Sequence, residues 1–258
     1  MTLDAAPPGV PLVRALDRGL ALLAAFTPEQ PRRSLTELAA AAGLDKGTAR
    51  RLLHTLLQAG FLRLEDGRYA LATRILALAA AVETGGRLRA AAAGQLRALA
   101  AECRATAFIW VAEEGRALCL DRALVELPDV EALWFAVGAH ATLNGGAGPR
   151  VLLAWLDPAA QRQALALPLT RRTPAGETDP PALLRAAAAI RARGHELVQD
   201  DFVIGLGGLG VPILGRDGAL LGALSIATLS SAFAPDATGQ PPQLAALRRA
   251  AGAIAAAL

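Results

Sequence analysis

Lys46, Arg50 and His54 recur every four residues with Arg51 beside them, so a helix would gather four nitrogen-bearing side chains on one side. Guanidinium and ammonium groups in such a row can reach phosphate oxygens or the acceptor edge of guanine. Gly47 and Thr48 in the same stretch let a helix N-terminus come close to an anion. Lys46 is the only lysine of the chain. Charged faces are the default for any exposed helix, so the row gains meaning only from the elements that would hold it.

Those elements are legible. Ser34-Leu35-Thr36-Glu37 has the form of a capping box, with a hydroxyl at the N-cap and a carboxylate three residues on. Leu35, Leu38, Ala39 and Ala42 follow at helical spacing until Gly43, a residue suited to the left-handed turn that ends a helix. Leu44 can then plug the space between two helices, and Asp45 can cap the second. Along that second helix Ala49, Leu52, Leu53, Leu56 and Leu57 fall on the face opposite the basic one. Residues 61–64 and 69–71 read as short strands around Asp66-Gly67, with Arg68 near the hairpin tip for a minor-groove or phosphate contact. Two helices, a glycine turn and a hairpin describe a winged helix-turn-helix, and the implied partner is double-stranded DNA. Ser34, Thr36, Lys46, Gly47, Thr48, Arg50, Arg51, His54 and Arg68 are the candidate DNA-binding residues.

Catalytic chemistry finds less support. His54, His140 and His195 are scattered, and no metalloprotease motif, nucleophile elbow or Cys-His pair is present. Cys103 and Cys119 lack metal-ligand spacing and fall on a helix and an apolar strand, where thiols are inert. Asp200 and Asp201 are adjacent; on a strand they face opposite sides and cannot act as a carboxylate pair, although one of them can point into a pocket. Residues 205–210 satisfy G-x-G-x-x-G, but Val211-Pro212-Ile213-Leu214 continues as strand where a dinucleotide site needs a helix. Residues 144–150 lack the Lys-Ser/Thr ending of a phosphate loop. Pro149 suits the first turn of a helix, so Gly145 and Gly146 either expose amides to an anionic group or form a plain tight turn. No catalytic residue, metal or cofactor is expected.

The chain has 258 residues, 53% of them hydrophobic, enough for two cores. The net charge of +3 is mild, but residues 1–89 hold twelve Lys/Arg against eight Asp/Glu, and the remainder is near neutral. Residues 1–8 do not read as a secretory signal, and the long uncharged run at residues 219–235 is broken by Gly, Ser and Thr. A cytoplasmic location is expected.

After the wing, residues 74–82 predict a linker helix ending at a hinge, Gly85-Gly86, and residues 88–103 a second, alanine-rich helix. Residues 106–111 and 117–120 predict a hairpin around Glu113-Glu114-Gly115-Arg116. Residues 180–194 and 241–258 are helical in pattern; residues 195–202, 210–214 and 220–228 are strand-like. The fold class is α+β, an antiparallel sheet flanked by helices behind a DNA-reading head.

Arg14-Ala15-Leu16-Asp17-Arg18-Gly19-Leu20, the whole stretch from Ser34 to Leu53, and Gly67-Arg68-Tyr69-Ala70-Leu71 match in order and spacing the IclR-type transcriptional regulators, which the chain resembles. The likeness continues at His140-Ala141-Thr142, residues 190–195, Val211-Pro212-Ile213 and Ala223-Leu224-Ser225-Ile226. It implies a winged head over residues 1–72, a linker helix over 73–86 and a GAF-like effector-binding domain over 87–258. It also implies a homodimer or homotetramer on a palindromic operator, with no membrane contact. The effector site it implies comprises Trp110, Trp134, Phe135, Gly145, Gly146, Asp200, Gly207, Gly208 and Ser225. The implied effector is a small organic acid. Gly207 and Gly208 replace the larger residues common in relatives, which points instead to a bulkier aromatic or apolar metabolite. A GAF-type enzyme with an accessory winged helix, and a ligand-independent architectural protein, remain the competing classes.

Overall fold

The computed structural model describes residues 11–27, 30–81, 83–124, 135–237 and 239–258. The chain divides into two compact units between residues 82 and 83.

The first unit begins with α1 (Arg14–Ala24), followed by β1 (Arg32–Arg33), α2 (Leu35–Ala41) and α3 (Lys46–Gln58). The capping box forms as the sequence predicts. Ser34 Oγ accepts from Glu37 N at 3.3 Å, and Ser34 N donates to a Glu37 carboxylate oxygen at 2.7 Å. Asp45 Oδ1 likewise accepts from Thr48 N at 2.9 Å and starts α3. Leu22, Leu38, Ala49 and Leu53 are fully buried or nearly so and lock the three helices together, each leucine contributing about 1.5–3 kcal/mol. The wing is β2 (Leu62–Glu65) and β3 (Arg68–Leu71), turned by Asp66 and Gly67 at φ of 50° and 73°, the geometry of a type I′ hairpin. Short as it is, β1 pairs with β3, Arg32 opposite Ala70 and Arg33 opposite Tyr69, to complete a three-stranded sheet. Then α4 (Arg74–Ala80) follows, its Arg74 guanidinium 5.4 Å from the centroid of the Phe61 ring.

The second unit opens with α5 (Glu83–Cys103), which runs through Gly85 and Gly86 without a break. The expected hinge is therefore helix. Each glycine costs about 1 kcal/mol there, and the burial of Leu88, Leu96 and Leu99 further along the same helix offsets it. Then come β4 (Thr106–Glu113), β5 (Arg116–Ala123), β6 (His140–Thr142), α6 (Ala147–Trp155), α7 (Pro158–Leu165), α8 (Pro180–Arg193), β7 (Glu196–Gln199), β8 (Leu206–Leu214), β9 (Leu220–Leu229) and α9 (Leu244–Ala256). The six strands form one antiparallel sheet in the order β6-β5-β4-β9-β8-β7. Residues 205–210 carry no nucleotide loop, because most of them lie in β8.

Alternation along the strands fills two cores. Ala107 and Ile109 of β4 face α5 and α9, and Phe108 and Trp110 face α6 and α8. On the second face Phe108, Ser225 and Gly210 stand opposite one another across β4, β9 and β8. The missing side chain at Gly210 lets α6 lie against the strand itself, since a Cβ there would meet the Ala147 backbone at 3.0 Å.

Candidate nucleic-acid interface and effector cavity

The basic side of α3 is open to solvent. Lys46, Gly47, Arg50, Arg51 and His54 are all exposed, and Thr48 is half-buried with its amide bound to the Asp45 carboxylate. That amide bond holds the Asp45 carboxyl below the ordinary range, so the capped helix end presents a carboxylate beside the basic row. Among the described residues none of Lys46, Arg50 and Arg51 enters an ion pair.

Cations of the wing are placed differently. Arg63 and Arg32 bind Glu65 at 2.6 and 3.2 Å. Arg68 sits beside the tip as expected, yet its guanidinium folds back to the Arg32 carbonyl at 3.2 Å and to Glu37 at 3.5 Å. It braces the wing against the start of α2. Ser34 is committed to its cap, and Thr36 is exposed on the first turn of α2. Lys46, Arg50 and Arg51 thus stand exposed on α3, Arg51 reaching Thr48 Oγ1 at 3.5 Å, whereas Arg32, Arg63 and Arg68 are tied up in the wing.

In the second unit Trp110, Phe135, Gly146, Gly207, Gly208 and Ser225 line a single cavity of about 50 Å³. Gly145 lines an adjoining one, and Trp134 lies outside the described residues. Asp200 is not in it. Its backbone turns out of β7 at φ 60°, and its carboxylate accepts from Gly205 N at 2.6 Å and from Ser230 Oγ at 3.3 Å. The two aspartates occupy a turn rather than a strand, and the one in the cavity is Asp201. Its Oδ2 accepts from Gly146 N, at the N-terminus of α6, at 2.7 Å. Burial raises the Asp201 carboxyl above the ordinary range, against the pull of that amide and of the Arg150 guanidinium.

The glycines of β8 do not enlarge the cavity. A Cβ at Gly207 would lie 2.9 Å from the Phe233 ring, and one at Gly208 would touch Ala147 and Val198 at 3.4 Å. Neighbouring side chains have taken the space, so these glycines add no room to the cavity. Behind α6, Arg150 pairs with the buried Glu196 at 3.1 Å, and Arg193 meets the same carboxylate. Trp110 Nε1 is bonded to Ser225 Oγ, and the Phe108, Phe135 and Phe202 rings complete an aromatic wall. Burial lifts the thiols to about 11 for Cys103 and about 12 for Cys119, which keeps both protonated and unreactive.

Comparison with known proteins joins the two halves. The family model described as "Bacterial transcriptional regulator IclR C-terminal" matches residues 80–256, and "IclR helix-turn-helix domain" matches residues 15–66. The chain belongs to the IclR family. Among similar members, the p-hydroxybenzoate hydroxylase transcriptional activator of Acinetobacter baylyi is 29% identical over 231 residues, 86% of this chain and 84% of that protein. The glycerol operon regulatory protein of Streptomyces coelicolor is 28% identical over 244 residues, 94% of this chain and 95% of its own. The crystal structure of an IclR homolog from Microbacterium hydrocarbonoxydans complexed with 4-hydroxybenzoate superposes with a TM-score of 0.83. It is 25% identical, and the match covers 95% of this chain and 98% of that one. As an IclR-family member the chain is a transcriptional regulator with a DNA-binding helix-turn-helix domain, and not an enzyme. No helix among the described residues is long and apolar enough to cross a membrane.

Proposed function

We propose that the protein is a cytoplasmic, effector-responsive regulator that reads a palindromic operator as a dimer or a tetramer. The observation that carries this reading is the row of exposed cations on α3, outside any ion pair among the described residues, on a helix capped by Asp45. Such a row supplies phosphate and base contacts, and Ser34, Thr36, Lys46, Gly47, Thr48, Arg50, Arg51, His54 and Arg68 form the footprint. One short helix contacts too few base pairs for specific affinity, so two copies on two half-sites are required. A surface for the second copy is at hand. Leu16 and Leu20, spaced by four on one side of α1, are 62% and 55% exposed, and Leu12 just before the helix is 81% exposed.

The cavity beneath α6 takes a small molecule, whose binding changes the population of operator-competent dimers without a chemical step. Relatives named for p-hydroxybenzoate metabolism, or bound to 4-hydroxybenzoate, support a small aromatic acid as the effector. A head over residues 1–72, a connecting segment over 73–86 and an effector domain over 87–258 remain the working division.

The deciding experiment is a gel-shift titration of the full chain on DNA upstream of its own reading frame, at fixed salt, with and without 4-hydroxybenzoate. A sequence-specific shift that the acid alters is expected. Failure to retard any duplex would overturn the reading.

A further inference from the structure

Two chambers adjoin in the second unit, and Phe135, Asp201 and Phe202 line both. The first, of about 50 Å³, is walled by aromatic rings. The second, of about 110 Å³, is polar, and Arg116, His140, Asn144 and Arg172 stand in its wall. Arg116 is half-buried and meets no carboxylate among the described residues. The Arg172 guanidinium lies 4.1 Å from the Phe202 ring centroid, so the cation sits on the ring where the chambers meet. His140 is held by Glu113 at 3.0 Å.

Asn144 supplies the second observation. Only 2% exposed, it donates both Nδ2 hydrogens, to the Thr170 carbonyl at 2.9 Å and the Glu177 carbonyl at 2.7 Å. Its Oδ1 is buried without a partner. The two donated bonds fix the Asn144 side chain and the loop beside the polar chamber. The apolar chamber has the opposite character. Its one evident seat for an anion, the amide at the start of α6, is already filled by the Asp201 carboxylate.

Building on the effector reading above, we propose that the ligand lies across both chambers, its planar apolar ring against the Phe108, Trp110 and Phe135 wall and its anionic group between Arg116 and Arg172. A carboxylate fits best, since two arginines stand in the wall of the polar chamber. The anion takes that chamber because the amide at the start of α6 is already taken by the Asp201 carboxylate. A small aliphatic acid fills only one chamber.

The test uses isothermal titration calorimetry on the full chain with 4-hydroxybenzoate, its methyl ester and pyruvate as probes. The acid is expected to bind, the ester about tenfold more weakly, and pyruvate not at all. Arg116→Gln and Arg172→Gln should each weaken the acid about tenfold and leave the ester unchanged, which also shows that the variants are folded. Equal affinity for acid and ester, or variants that bind the acid like the parent, would overturn the anion seat while the effector reading stood. Binding of pyruvate alone would overturn the two-chamber ligand. Binding of none of the three would remove the ligand class, and the regulator itself would fall only with loss of operator binding.

Discussion

Trp110 Nε1 donates to Ser225 Oγ at 2.9 Å, pinning β4 to β9 from inside the sheet face that α6 covers. Gly148 presses on the same pair, for a Cβ there would come within 2.4 Å of the indole and 3.0 Å of the hydroxyl. Ser225→Ala leaves a buried N–H unsatisfied and should cost about 1–3 kcal/mol. Gly148→Ala overfills the same point and should cost about 1–3 kcal/mol or more. Chemical denaturation followed by tryptophan fluorescence measures both. Unchanged midpoints would mean that the indole makes no demand on its partner.

Arg50→Ala and Arg51→Ala should weaken operator binding with no change in thermal stability, because both side chains are exposed and outside any ion pair among the described residues. If they contact phosphates, each change lowers the slope of log K against log salt by about one. Affinity measured across a salt series checks this. A double variant with the parental slope would remove the face from the interface.

Leu16→Glu with Leu20→Glu places charge on the exposed apolar side of α1 without touching the buried Leu22. Paired reading should be lost, so the footprint shrinks toward one half-site and affinity falls at least about tenfold. Footprinting reads the outcome, and an unchanged protected length would count against this surface.

Asp201 makes stability depend on pH in the direction opposite to a salt-bridged acid. Its carboxyl binds a proton more tightly in the fold than in the unfolded chain. What it contributes is therefore present at low pH and lost as pH rises through its raised pKa. Asp201→Asn keeps an acceptor for Gly146 N and has no charge to desolvate. Melting curves of the pair should diverge in favour of Asn as pH rises above the ordinary carboxylate range. A constant gap would contradict the assignment.

The head was legible in the sequence because its signals are local: a hydroxyl and a carboxylate three apart, and an Asp-Gly turn, each act through the nearest backbone. What escaped depends on distant partners. β1 is a strand only because Arg32 and Arg33 meet Tyr69 and Ala70 across the sheet, and α1 shows itself mainly through Leu22 buried among residues of the other helices. Gly85-Gly86 reads as a break, yet α5 continues through it. Asp200 hid its left-handed turn behind a strand-like run, which moved the expected carboxylate one position from the cavity. Arg68 looked free because Glu37 is far from it in sequence.

Between α6 and β8 there is no cushion. Ala147 rests on the main chain of Gly210, with no flexible side chain interposed to absorb a displacement. A molecule that lifts the start of that helix by a fraction of an ångström must carry the strand along or slide the helix bodily, as in any close-packed contact. Occupancy is thereby converted into rigid movement at its source.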